Sequence, residues 1–234
     1  MLLAIDTSTR YAGIALVDQE GNTVQLVQWR SQRNHSVELL PAIERMLVKE
    51  QLSSRALDGI ALASGPGNFS ALRVGFSIAK GFALAWNTPL VAVDTLLCEA
   101  FPFRSVGVTV VAVLDSGRSQ LSWAPFSYSK STEGEFVQLS VSKTSTPDDL
   151  IAEIHEPTLI CGEGLENHKT VLQELVDVTN KSIKLSLPYL LGLRLASLAH
   201  LGHLYFSAGN TVDPTTLQPE YLRPPTITPP RTSK

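Results

Sequence analysis

The sequence predicts an α/β protein made of two related halves, and three observations carry that reading. Short apolar runs alternate with stretches of helical periodicity, which is the pattern of strands joined by helices. The first apolar run, residues 2–5, ends on Asp6-Thr7-Ser8-Thr9, and the run 108–114 ends in a similar way on Asp115-Ser116-Gly117-Arg118. Residues 158–161, followed by Gly162-Glu163-Gly164, echo residues 60–63, followed by Ser64-Gly65-Pro66-Gly67.

Each element has its own signal. Residues 2–5, 13–17 and 24–29 read as three strands separated by polar turns, the second turn being Asp18-Gln19-Glu20-Gly21-Asn22. Val37, Leu40, Ile43 and Leu47 recur at helical spacing and predict a helix over 36–51, bent by Pro41. A buried strand at 60–63 leads into the glycine–proline segment, and Ser70 is a candidate cap for a helix over 71–86 that Asn87-Thr88-Pro89 stops. Residues 90–93 form another strand, and Asp94 or Thr95 can cap a helix through about residue 101. In the second half, strands are predicted at 108–114, through about residue 128 and at 158–161, and Ser-rich stretches such as 143–146 read as turns. A last helix covers 189–206, and the proline-rich end, with Pro224, Pro225, Pro229 and Pro230, reads as extended. A duplicated strand–Asp–turn–strand unit is what the actin-like, Hsp70-like (ASKHA) and sugar-kinase architecture is made of. The expectation is therefore two small subdomains, 1–103 and 104–234, each with a mixed sheet flanked by helices, and the final helix packing back on the first.

Composition narrows the function classes. A chain of 234 residues with 44% hydrophobic and 18% charged content has the balance of a folded domain, not of a disordered segment. The net charge of −3 argues against a basic nucleic-acid platform, so a connection to RNA would run through a partner. Cys98 and Cys161 stand alone, without a CxxC or a zinc-finger pattern, which fits a reduced, cytoplasmic protein. Asp6 interrupts the apolar start before a signal peptide could form, and the longest later uncharged stretch, 195–212, carries His200, His203, Gly209 and Asn210; neither a signal nor a membrane span is expected.

The segment Ser64–Gly75, SGPGNFSALRVG, resembles the TsaB (YeaZ) family, small relatives of the TsaD/Kae1 proteins that modify tRNA. Ile5-Asp6-Thr7-Ser8, His35-Ser36 with Glu38-Leu39-Leu40-Pro41, and Pro219-Glu220-Tyr221-Leu222-Arg223 match further motifs of that family in order along nearly the whole chain. Asp115-Ser116-Gly117-Arg118 departs from the family's usual Asp-Ala-Arg. The resemblance implies a non-catalytic subunit that pairs with a TsaD-like protein, and with itself when that partner is absent. It also implies a larger complex with a TsaE-like ATPase that places a threonylcarbamoyl group on the adenosine beside the anticodon of tRNAs reading ANN codons. ATP or ADP and the metal would then sit on the TsaD-like partner, and tRNA would be met only through the complex.

Against that stand the residues' own readings. Asp6, Thr7 and Ser8 at a strand end have the chemistry to hold metal and phosphate, which would make the chain an ATP-binding actin-like phosphotransferase; alternatively they only shape a turn. Gly65 and Gly67 before a helix either cradle an anion or make a tight turn, and no P-loop lysine follows. His200 and His203 share a helix face without a third ligand, so no metal site is expected. Ala71, Gly75, Ala79 and Ala83 form a ridge of small residues, flanked by Leu72, Phe76 and Phe82. This ridge faces either the protein's own sheet or a partner helix. With His35, Leu39 and Ile43 from the preceding helix, residues Leu72, Gly75, Phe76, Ala79 and Ala83 form the expected partner interface.

Overall fold

A computed structural model describes residues 1–32, 34–128, 135–187 and 192–222. The first half holds strands β1 (Leu2–Asp6), β2 (Tyr11–Val17), β3 (Thr23–Arg30), β4 (Gly59–Ala63) and β5 (Leu90–Val93), in the order β3-β2-β1-β4-β5. Its helices are α1 (His35–Lys49), α2 (Phe69–Trp86) and α3 (Thr95–Ala100). The second half holds β6 (Thr109–Gly117), β7 (Gln120–Tyr128), β8 (Phe136–Gln138), β9 (Lys143–Ser145), β10 (Thr158–Cys161) and β11 (Ile183–Leu185). Helices α4 (Pro147–Glu153), α5 (Leu165–Thr179) and α6 (Leu193–Ser207) complete it.

The second sheet runs β8-β7-β6-β10-β11, with β9 also on β7, and it repeats the first. In both, the opening strand pairs antiparallel with the next one (β1 with β2, β6 with β7). It also pairs parallel with the strand that follows a helix (β1 with β4, β6 with β10). The correspondence reaches single residues. Asp6 Oδ1 accepts the Ser8 N–H at 2.9 Å and Asp115 Oδ1 accepts the Gly117 N–H at 2.8 Å, the same Asx turn in each half. Gly65 and Gly162, just after β4 and β10, share a φ of +109°, a region that glycine alone enters freely. The fold is the duplicated actin-like one.

Because successive strand residues point to opposite faces, each sheet feeds two cores. Leu3, Ile5, Ile14 and Leu62 pack under α1 and α2 through Leu39, Ile43, Leu72 and Phe76. On the other face Leu2, Ala4, Ala15 and Ala61 meet Leu195, Leu198 and Ala199 of α6. In the second half Val111, Val113 and Trp123 pack under α4 and α5, while Val110, Ala112 and Phe126 meet Leu96 and Ala100 of α3. Helices α3 and α6 therefore form a central layer between the two sheets, touching each other.

Several boundaries move from the sequence expectation. Asn68, not Ser70, caps α2, accepting the Ala71 N–H at 3.2 Å, and Ser70 lies inside the helix. Asp94 caps α3 through the Leu97 N–H at 2.6 Å. Residues Lys143–Ser145 form a strand, not a turn, because Trp123, Ser122 and Leu121 of β7 offer them a paired edge. Helix α6 is described from Leu193; the expected start at 189–191, Arg223 of the closing motif and the prolines at 224–230 lie outside the described residues.

Candidate functional site

The turns at the ends of β1 and β6 and the loops after β4 and β10 face one another across a cleft of about 1230 Å³ between the halves. Its lining includes Ser8, Thr9, Arg10, Gly67, Asp115, Arg118 and Glu163. This is where the sequence places Asp6, Thr7, Ser8, Gly65 and Gly67, and the structure brings all five to one corner.

That corner is occupied by the chain itself. Asp6 is 1% exposed, and its Oδ2 accepts Nε of Arg194 at 2.7 Å. Its Oδ1 accepts both N–H and Oγ–H of Ser8, at 2.9 and 2.6 Å. Arg194, at the start of α6, is also 1% exposed. Its remaining N–H groups go to Glu99 Oε1, Glu163 Oε2 and Thr9 Oγ1, each at 2.7 Å, and to the Tyr11 carbonyl at 3.1 Å. All five guanidinium donors are thereby used. Burial pushes the Glu99 carboxyl up to about 7 against the pull of Arg194. For Arg194, burial opposes the charge, but Asp6, Glu99 and Glu163 hold its pKa above the ordinary arginine value. Residues Arg194, Glu99 and Glu163 escaped the sequence reading as site residues. The available signal was Arg194 itself, a single cation at the head of an otherwise apolar helix, where a buried charge demands a carboxylate.

The glycine–proline loop is packed just as closely. A Cβ at Gly67 would run into the backbone carbonyl of Ser8, whose oxygen accepts the Asn68 N–H at 2.6 Å. A Cβ at Gly65 would lie 2.5 Å from the Glu220 carbonyl oxygen, and the Glu220 N–H bonds the Ser64 carbonyl at 2.8 Å. The ring of Tyr221 lies 4.7 Å from that of Phe69. The two glycines thus admit the chain's own backbone, from the first turn and from the C-terminal segment, into the space an anion would need. Asp6 and these glycines do not fit a nucleotide and its metal. Among the described residues no cluster of three or more His, Cys, Asp or Glu is arranged to hold a metal ion.

In the second half, Arg118 and Ser119 both have positive φ (53° and 56°) and make the two-residue turn between β6 and β7. The segment that departs from the family pattern is thus a tight hairpin at the lip of the cleft. Burial opposes the charge of Asp115, but the Gly117 N–H, Asn167 and His168 hold its carboxyl below the usual range.

The expected partner interface needs correction. His35 is 7% exposed, and its Nε2 lies 3.0 Å from the Thr9 carbonyl. Leu39, Ile43, Leu72, Phe76, Ala79 and Ala83 are all buried in the core under the first sheet. Gly75 is buried too, and a Cβ there would collide with the Thr7 side chain. The ridge of small residues lets α2 lie close on its own sheet, and helical periodicity of apolar residues marks the inward face first. The outward side carries apolar residues too, interspersed with the exposed Glu44, Arg45, Lys49, Arg73 and Ser77. Val37, Leu40 and Val48 of α1 are 68%, 49% and 69% exposed, and Leu84 and Trp86 of α2 are 60% and 44% exposed. Val74 and Ile78 of α2 are half-buried and packed against the core. Gly81, within α2, is exposed, and among the described residues nothing lies within 4 Å of the position a Cβ would take.

The family model for TsaD, tRNA N6-adenosine threonylcarbamoyltransferase, matches residues 29–155. The chain is 27% identical to the tRNA threonylcarbamoyladenosine biosynthesis protein TsaB of Haemophilus influenzae over 95% of this chain and 93% of that one. It is 26% identical to TsaB of Bacillus subtilis over 75% and 76% of the two chains. The solved structure of YeaZ from Pseudomonas aeruginosa superposes with a TM-score of 0.75 at 24% identity, covering 94% of this chain and 99% of that one. A family model spanning more than half the chain and TsaB relatives aligned over 75% and 95% of it lead to one assignment: the chain belongs to the TsaB (YeaZ) family of tRNA threonylcarbamoyladenosine biosynthesis proteins.

Proposed function

We propose that this chain serves that pathway as a non-catalytic subunit, pairing with a TsaD-like protein through the outward face of α1 and α2 and pairing with itself through the same face when alone. The observation that carries the reading is Gly81. Glycine in a helix interior costs about 1 kcal/mol relative to alanine, so its presence asks for a packing reason. For Gly75 the reason is Thr7, inside the chain; for Gly81 no described residue supplies one. On the same two helices Val37, Leu40 and Val48 of α1 and Leu84 of α2 are exposed apolar residues, the kind of surface that marks a binding face. A two-fold contact uses one patch twice, so the same surface suits self-pairing.

The cleft supports the non-catalytic part. The carboxylate that would meet a metal is held by Arg194, and the glycine loop is filled by Ser8 and Glu220. Nucleotide and metal are accordingly assigned to the TsaD-like partner, and the TsaE-like ATPase and tRNA to the assembled complex. None of the described helices is long and apolar enough to cross a membrane, and the proposed location is the cytoplasm. The test is co-purification with the same organism's TsaD-like protein, together with titration of the isolated chain with Mg-ATP and with unmodified tRNA. A stable pair, no micromolar ATP binding and only weak tRNA retention are expected. Micromolar ATP binding with turnover, or tight salt-sensitive tRNA binding by the chain alone, refutes the non-catalytic reading; failure to pair refutes the interface.

A further inference from the structure

We propose that Arg194 acts as a resident cation that ties the two halves of the chain together across the floor of the cleft and holds the cleft at one opening. The ligands of its guanidinium come from three parts of the fold. Asp6, Thr9 and the Tyr11 carbonyl belong to the first half, Glu99 to α3 in the central layer, and Glu163 to the loop after β10 in the second half. Glu163 is the pivot. Its carboxylate takes Arg194 Nη1 at 2.7 Å and the Thr9 hydroxyl, its backbone N–H reaches Glu99 Oε1 at 3.3 Å, and Arg10 Nε stands 3.8 Å away. Next to it Glu166 takes Arg10 Nη2 at 2.7 Å and the Tyr11 hydroxyl at 3.3 Å.

The energetics make this arrangement a fixed one. Opening the cleft would draw Glu163 away from a guanidinium that is 1% exposed and break a buried charge-assisted hydrogen bond, which is more costly than parting an exposed pair. Glu163 Oε2 accepts Arg194 Nη1 at 2.7 Å and also the Thr9 hydroxyl, so moving the loop after β10 away from the first half breaks both bonds at once. A cation must sit among Asp6, Glu99 and Glu163 for the halves to stay in place, and the chain provides it from α6. This inference is independent of the pairing surface on α1 and α2.

The test measures the distance between the halves. Ser53→Cys and Glu174→Cys place spin labels on exposed positions of the first and second halves. Cys98 and Cys161 are fully buried, with thiols that burial pushes well above the ordinary range, and do not compete for label. Labelled chain is diluted into unlabelled chain so that only intramolecular distances are read by pulsed electron resonance. One narrow distribution is expected for the otherwise natural sequence. Arg194→Ala should shift population into a second, longer distance while keeping its far-UV circular dichroism, and guanidinium ion at millimolar, non-denaturing concentration should restore the narrow form. A distribution that is already broad with Arg194 present, one that stays narrow in Arg194→Ala, or one that guanidinium leaves broad overturns the proposal. If Arg194→Ala loses its helical signal, Glu163→Gln decides instead. It weakens only the tie to the second half, with Asp6 and Glu99 still opposite Arg194; broadening supports the clasp and an unchanged distribution overturns it.

Discussion

Replacing Gly81 by leucine separates the stability of the chain from its pairing. No atom of the described residues lies within 4 Å of the place where the Cβ would sit, so the side chain meets open space beside them. The helix gains from losing its glycine, by about 0.5–1 kcal/mol. For a chain of this size that raises the melting temperature by about 1–4 °C. If another helix covers Gly81, the isobutyl group must be inserted into a packed contact, and overpacking of that kind costs about 1–3 kcal/mol. At 1.4 kcal/mol per decade, the dissociation constant then rises by about 5- to 150-fold. Sedimentation equilibrium of the chain alone and a titration against the TsaD-like protein read the pairing, and calorimetry reads the stability. A variant that pairs with unchanged affinity refutes the assignment of this face, whatever its melting temperature does.

Ala79→Trp should do the opposite: Ala79 is 0% exposed under the first sheet, so the indole overpacks the chain's own core and lowers its stability by about 1–3 kcal/mol or prevents folding, which a urea denaturation series measures. Glu99 provides a pH test. Its folded pKa of about 7 lies above the 4.5 of the free group, so the folded state holds a proton that the unfolded state has released between these values. Glu99 therefore makes stability fall as pH rises from about 4.5 to 7, by about 3 kcal/mol at most, with no further change above. Glu99→Gln should flatten the unfolding free energy over that window relative to the natural sequence; an identical pH slope in both proteins contradicts the assignment.

Much of this protein is legible in the residue order because the signals are local. Alternation of apolar runs with helical periodicity gives the strands and helices of an α/β sheet, and the echo of Asp6 in Asp115 and of Gly65 in Gly162 gives the duplication, since an Asx turn and a positive φ are properties of a few consecutive residues. The glycine–proline segment places the family. Which way each surface faces is not local. Helical spacing joins Val37, Leu40, Ile43 and Leu47 in one apolar set, and only the packed sheet shows that Leu39, Ile43, Leu47, Phe76 and Ala79 point inward while Val37, Leu40 and Leu84 point outward. The clasp is further still from the sequence. Asp6, Glu99, Glu163 and Arg194 are separated by most of the chain, and nothing in their spacing joins them. They meet because α3 and α6 are pressed between two sheets, where a buried guanidinium has to find carboxylates and only tertiary packing decides which ones.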